Sequence, residues 1–83
     1  MRTEEEIRHC LRNWVIKNSE KITYDELSDD LPIIEQRIIT SLQTMDLILF
    51  IEKISGGSIE PEDLKPGVFR NIDTIYKNFF QRN

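Results

Sequence analysis

The residue best placed to take part in chemistry is Ser41, which lies in the segment TSLQTMDLILFIEKIS between Thr40 and Ser55. Thr40 followed three residues later by Gln43 is a capping-box pattern, so we expect Thr40 to be the N-cap of a helix that begins at Ser41. Ser41 then occupies the first helical position with its hydroxyl unclaimed. Unpaired backbone N–H groups and the positive end of the helix dipole favour an anion there, such as a phosphate ester. The competing interpretation is that Ser41 is only the helix cap.

The rest of this segment predicts a helix with two apolar faces. Asp46 and Lys53 lie two turns apart on one face and mark it as the solvent side. Four apolar residues lie away from that face and are expected in the core: Leu47, Phe50, Ile51 and Ile54. Three others lie beside the charges and are expected to form an exposed docking strip: Leu42, Met45 and Leu49. The alternative is that neighbouring helices cover both faces.

Other chemically active residues are few. The chain has one histidine, His9, and one cysteine, Cys10, which cannot make an internal disulfide or build a metal site. Carboxylate pairs occur between sequence neighbours and suit caps or solvated loops: Asp29-Asp30 and Glu62-Asp63. No glycine-rich phosphate loop or zinc-protease motif is present. We therefore expect no catalytic residue, no metal and no enzyme activity, and Ser41 would be a substrate of a partner that brings its own base and metal.

Helical patterns on either side supply the frame for this segment. Thr3 with Glu6 forms a second capping box, followed by an amphipathic helix that should end near Asn18. Its core stripe comprises Ile7, Cys10, Leu11, Trp14 and Val15, and Cys10 is interpreted as a small core residue rather than a reactive thiol. His9 lies off the stripe, toward solvent.

Residues 19–39 form a long connection without helical periodicity. Loops of this length are uncommon unless they are functional or held in place. Apolar residues are expected to hold this one across the helix ends: Ile22, Tyr24, Leu27, Leu31, Ile33, Ile34, Ile38 and Ile39. Ile38 and Ile39 directly precede the Thr40-Ser41 pair and should fix the direction of the serine hydroxyl. A short strand around Ile33 is also considered, although it has no evident partner.

After Ser55, Gly56-Gly57 should end the second helix, and Pro61 should start a short helical turn. Asn71 should cap a last helix with one apolar stripe: Ile72, Ile75, Tyr76, Phe79 and Phe80. The prediction is an all-α fold in a single domain over residues 1–83, with three main helices, one short helix and a long loop between the first two main helices.

Composition narrows the class of protein. A hydrophobic content of 39% and a charged content of 31% are typical of a soluble domain. The net charge of -4 argues against a nucleic-acid binder, which needs a basic surface. The longest apolar run is five residues, and no signal-peptide pattern opens the chain. We expect a cytoplasmic monomer that does not enter membranes.

Taken together, these segments resemble the acyl and peptidyl carrier protein family. The resemblance covers most of the chain: Asp29-Asp30-Leu31, Ser41-Leu42, Met45-Asp46-Leu47, Ile59 to Leu64 and Phe69 to Asp73. In that family the serine of an Asp-Ser-Leu triplet carries phosphopantetheine, which a separate transferase adds from coenzyme A, and the terminal thiol holds cargo as a thioester. The resemblance implies that Ser41 is the attachment residue and that partner enzymes dock on Thr40, Leu42, Met45, Asp46 and Leu49.

The partners implied are a phosphopantetheinyl transferase, an acyl or aminoacyl ligase or transferase, and downstream biosynthetic enzymes. Two residues depart from the family pattern: Thr40 replaces the usual aspartate, and Arg37 stands where glycine is frequent. They either narrow the choice of transferase or mark a carrier that is no longer modified. An inward-pointing Phe50 would fill the space that fatty-acid carriers keep for a chain. We therefore expect a short or polar cargo in a specialised-metabolite or stand-alone pathway. The alternative function is an unmodified helical interaction module.

Overall fold

A computed structural model of the chain describes residues 3–19 and 21–81. These residues form three α-helices: α1 (Glu4–Asn18), α2 (Gln43–Ser55) and α3 (Ile72–Phe79). Single turns of 3-10 helix occur in both connections, at Tyr24–Glu26 and Pro61–Asp63. The predicted all-α fold with three main helices and one short helix near Pro61 is confirmed, and the turn at Tyr24–Glu26 is an addition to it.

Helix α1 begins and ends where its sequence signals place it. The Thr3 hydroxyl accepts a hydrogen bond from the Glu6 amide at 3.2 Å, which satisfies an otherwise unpaired donor of the first turn. Leu11 and Val15 are fully buried, while His9 is exposed. Cys10 is only half-buried, so it lies at the edge of the core and not within it.

The core lies where one face of each helix meets the connecting segments. Helix α1 contacts both α2 and α3. Among the described residues, the fully or nearly fully buried apolar side chains are Leu11, Val15, Leu27, Ile33, Ile38, Ile39, Leu47, Ile51, Val68, Phe69, Ile72, Ile75 and Phe79. Six of these thirteen belong to the connections that precede α2 and α3. The loops are therefore part of the core, which explains how a chain with short helices holds together.

The connection before α2 is held by hydrogen bonds as well as by apolar packing. The Ile33 amide donates to the Arg70 carbonyl at 2.9 Å, and the amides of Ile38 and Ile39 both donate to the Ile33 carbonyl, at 2.9 and 3.1 Å. These are turn contacts, and in the described part of the chain no strand forms, so the short strand considered around Ile33 is wrong. The reason is that the carbonyl needed for a ladder is used within the turn.

Four charged side chains form an ion cluster that joins the long connection to α1 and α3: Arg8, Arg12, Asp29 and Asp73. Asp29 accepts from Arg8 at 2.7 Å and from Arg12 at 2.6 Å, while Arg8 also donates to Asp73 at 2.9 Å. The Asp29 carbonyl further accepts from the Asp73 amide at 2.9 Å. Burial disfavours the charge of Arg8, but its hydrogen bonds to the two carboxylates outweigh that effect and raise its pKa.

Helix α2 ends at Gly56, whose φ of 75° is the left-handed geometry that glycine adopts without a side-chain penalty. Helix α3 is capped by the Asn71 side chain, which accepts from the Thr74 amide at 2.7 Å. Both termini agree with the sequence prediction. Among the described residues, no helix combines the length and the apolar character needed to cross a bilayer.

Candidate functional site

The start of α2 combines a capping box with a tighter first turn than predicted. The Thr40 amide donates to the Gln43 side chain at 2.8 Å, and the Thr40 hydroxyl accepts from the Gln43 amide at 3.2 Å. The amides of Gln43, Thr44 and Met45 bond to carbonyls three residues earlier, which is 3-10 geometry. Regular α-helix therefore begins at Gln43, two residues later than the predicted start at Ser41.

This geometry leaves the Ser41 hydroxyl without a structural task. Ser41 is exposed, and in residues 3–19 and 21–81 no group hydrogen-bonds its side chain. Its carbonyl, and not its hydroxyl, accepts from the Thr44 amide at 3.2 Å. The interpretation of Ser41 as the helix cap is therefore wrong, since Thr40 fills that role. A free, solvent-facing hydroxyl at the electropositive end of a helix is chemically suited to carry a phosphate ester.

Two contacts fix the position of this turn relative to the bundle. Ile39, directly before Thr40, is 1% exposed and anchors the chain in the core. The Gln43 side-chain amide donates to the Asn18 carbonyl at 2.7 Å, which ties the start of α2 to the end of α1. Gln43 thus closes the capping box with its oxygen and bridges two helices with its nitrogen. The backbone near the serine is therefore anchored to the bundle, while Ser41 itself is exposed.

The predicted docking strip is exposed beside Ser41. Leu42 is 86% exposed, Met45 66% and Leu49 63%, and these are the largest exposures among the large apolar side chains of the described residues. Thr40 and Asp46, the other expected docking residues, are also exposed. The alternative in which neighbouring helices cover both faces of α2 is wrong for the isolated chain. Three adjacent apolar side chains left in water are typical of a surface that another molecule covers.

The opposite face of α2 is less deeply buried than its pattern predicts. Leu47 and Ile51 are fully buried, but Phe50 and Ile54 are only half-buried. The Phe50 ring lies against Trp14 of α1, with centroids 6.1 Å apart. Phe50 therefore occupies the rim of the contact between α1 and α2. The expectation that it points inward is met only in part, because the helix turns this position toward the edge of the interface.

A cleft of about 310 Å³ opens next to the serine and is lined by Lys21, Ile34, Arg37, Ile39, Thr40 and Ser41. We call it the Ser41 cleft. Arg37 has a φ of 58°, the only positive φ on a non-glycine residue in the described chain. That left-handed conformation costs a residue with a side chain roughly 1–2 kcal/mol, which explains why glycine would be preferred there. In the sequence, Arg37 stands out only because it departs from the glycine that is frequent in carrier proteins at this position. No sequence signal indicated Lys21 as part of the site.

Among the described residues, the cleft lining contains no histidine, cysteine or carboxylate that could act as a general base. His9 and Cys10 lie elsewhere, on α1, where His9 Nδ1 is 2.9 Å from the Tyr24 hydroxyl. No group of three or more histidine, cysteine or acidic side chains suited to a metal ion occurs within the described residues.

The comparisons with known proteins found no match: no protein-family model, no curated protein and no solved structure aligns significantly with this chain.

Proposed function

We propose that this protein is a carrier that holds a short acyl or aminoacyl cargo as a thioester on phosphopantetheine attached to Ser41. The observation that carries the proposal is the serine hydroxyl itself, exposed and free of hydrogen bonds to the described residues. Thr40 performs the capping task that would otherwise occupy it. The order and spacing of the segments that resemble carrier proteins supply the identity of the group attached.

The attachment chemistry follows from what the site has and lacks. The Ser41 oxygen attacks the phosphopantetheine phosphorus of coenzyme A, a new P–O bond forms, and adenosine 3′,5′-bisphosphate leaves with the electrons of the broken bond. The serine proton passes to a base on the transferase, because the Ser41 cleft has no suitable acceptor. Magnesium brought with coenzyme A neutralises the phosphates. The carrier contributes position and access, and its partner contributes catalysis.

The docking strip supports the second half of the proposal, which is delivery to partner enzymes. Leu42, Met45 and Leu49 lie at intervals of three and four residues, so they occupy one face of the helix that the serine precedes. A partner that covers this face would have the phosphopantetheine group, the prosthetic arm of Ser41, at the edge of its contact surface. Proteins that bind a helix in an apolar groove recognise side chains at such intervals of three and four residues. We propose that the transferase and the downstream biosynthetic enzymes share this surface.

The decisive experiment is intact mass spectrometry after incubation with coenzyme A, magnesium and several phosphopantetheinyl transferases. We expect a mass increase of one phosphopantetheine that Ser41→Ala abolishes. Ser58→Ala is the matched control, because Ser58 is also an exposed serine but does not lie in the first turn of an α-helix or beside the docking strip. A folded wild-type protein that no transferase modifies would refute the carrier function, as would modification that persists in Ser41→Ala.

An unmodified helical interaction module is the second candidate function. The observation that favours it is that the docking strip is already exposed in the unmodified chain. Under this alternative, partner binding would be the same for wild type and Ser41→Ala, and a charge at Met45 would still abolish it.

A further inference from the structure

The charges around Ser41 differ from those of the rest of the molecule. The protein has a net charge of -4, yet the two charged residues in the described lining of the Ser41 cleft are both cations, Lys21 and Arg37. In the described part of the chain neither has a carboxylate within 4.0 Å. The cations that do have such partners there are Arg8, Arg12, Arg70 and Lys77.

We infer that Lys21 and Arg37 form a clamp for an anion, and that this anion is the phosphodiester at the base of the prosthetic arm. The inference rests on the proposed modification of Ser41. Once the serine oxygen is esterified, the phosphorus is one bond from an atom that already belongs to the cleft wall. Two long cationic side chains line the same cleft, and in the proposed clamp they turn toward the non-bridging oxygens by rotation about their side-chain bonds.

The two cations come from different parts of the connection, which makes the arrangement specific to the fold. Lys21 follows α1, whereas Arg37 lies in the turn before α2 and donates its amide to the Ile34 carbonyl at 3.0 Å. The φ of 58° at Arg37 sets the direction in which its side chain leaves the backbone. Guanidinium groups bind phosphate oxygens through two parallel N–H donors, and an ammonium adds a point charge. Ile34 and the buried Ile39 form the apolar part of the cleft wall.

The consequence is a restrained arm. Free rotation about the serine side chain would let the phosphodiester sample solvent in every direction, whereas two charge-assisted contacts favour the side of the cleft. The clamp also adds positive charge to the cleft beside Thr40, the position where the carrier family has an acidic residue. A transferase that acts on this chain therefore contacts Thr40 and two cations in place of an acidic residue. Because like charges repel, we expect the surface of that transferase to have no basic patch where it faces the Ser41 cleft.

The test uses the protein modified at Ser41 and carrying no cargo, so that the phosphodiester is the anion of the arm. We would record its 31P resonance and the Arg Nε–H resonances before and after modification. We expect modification to shift the Arg37 Nε–H signal but not that of Arg12, which is held by Asp29. We also expect the 31P signal to move by more than its linewidth in Lys21→Gln/Arg37→Gln. That movement should shrink in 1 M salt, where the Debye length is about 3 Å.

Two controls separate a clamp from other effects. Arg37→Lys keeps the charge and the non-glycine backbone, so it should retain most of the wild-type 31P position. Lys53→Gln removes one charge roughly 18 Å along the helix from Ser41 and should leave the signal unchanged. Circular dichroism checks that each variant is folded.

The outcomes distinguish the clamp from the carrier function. A phosphopantetheine mass increment with the same 31P position in wild type and the double variant would overturn the clamp and leave the carrier function intact. A change as large in Lys53→Gln would also overturn it, because net charge and not the cleft would be responsible. Absence of any mass increment would overturn both.

Discussion

Removing the Asp29 carboxylate should destabilise the fold by disconnecting the long loop from α1. The perturbation is Asp29→Ala. It deletes two charge-assisted hydrogen bonds, at 2.7 Å from Arg8 and 2.6 Å from Arg12, at a side chain that is 24% exposed. Hydrogen bonds to charged groups contribute about 1.5–3 kcal/mol each. Their net contribution to the free energy of unfolding is smaller, because the charged groups lose hydration when they are buried.

The expected loss is smaller than the sum of two such bonds. Arg8 keeps its contacts with Glu4 and Asp73, so it is not left as an unpaired charge. Arg12 loses its carboxylate and keeps a hydrogen bond to the Tyr24 hydroxyl at 3.3 Å. We therefore expect Asp29→Ala to lower the free energy of unfolding by about 2–3 kcal/mol. At 4–8 °C per kcal/mol for a domain of this size, the melting temperature should fall by about 8–24 °C.

The assay is urea unfolding at neutral pH, followed by the fluorescence of Trp14 and by circular dichroism, with linear extrapolation to water. Asp30→Ala is the matched control, since Asp30 is exposed and its carboxylate accepts only from the Ser28 hydroxyl, at 2.7 Å, within the described residues. Its effect should stay within about 0.5 kcal/mol of wild type. If the two variants lose the same free energy of unfolding, the ion cluster does not hold the loop and this reasoning fails.

The effect of Asp29 should also depend on pH in a defined direction. Burial raises the pKa of this carboxyl, but the hydrogen bonds from Arg12 and Arg8 outweigh burial and bring it below the ordinary value. Because the native pKa is depressed, the stabilisation is fully present above the unfolded pKa of about 3.9 and is lost as the pH falls through the native value. The stability difference between wild type and Asp29→Ala should be constant near neutrality and shrink below about pH 4.

The remaining predictions concern single residues of α2 and the turn before it. Leu47→Ala should cost about 2–5 kcal/mol in urea unfolding, because this fully buried side chain would leave a cavity; a loss under 1 kcal/mol would mean that the site collapses or is not core. Met45→Glu should leave the circular dichroism spectrum unchanged and lower kcat/KM for the transferase about tenfold or more, since burying a methionine against a partner contributes about 1.5–3 kcal/mol. Unfolding of this variant would show that the docking strip belongs to the core. Arg37→Gly should raise the free energy of unfolding by about 1 kcal/mol by relieving a positive φ, partly offset by the greater freedom of the unfolded chain; Arg70→Gly, at a position without positive φ, should not stabilise.

Most of the helical architecture could be predicted from local sequence, because its determinants lie within one or two turns. The Thr3 capping box, the Asn71 cap and the left-handed Gly56 each depend on residues at most a few positions away. The boundary that was predicted less well is the start of α2. A capping box places the cap at Thr40, but it does not determine whether the next turn is 3-10 or α. The contacts that position this turn in the bundle, the buried Ile39 and the bond from Gln43 to Asn18, are tertiary.

The sequence by itself determined that Thr40 leaves the Ser41 hydroxyl uncapped and which face of α2 carries the exposed strip. Both follow from helical periodicity and cap chemistry, which act over short distances along the chain. Only the tertiary structure decided what surrounds them. The ion cluster joins Arg8 to Asp73 across 65 positions, and the Ser41 cleft brings Lys21 next to Arg37 from separate parts of the loop. Contacts between residues so far apart depend on how the long connection folds over the helices, and neither periodicity nor local propensity encodes that path.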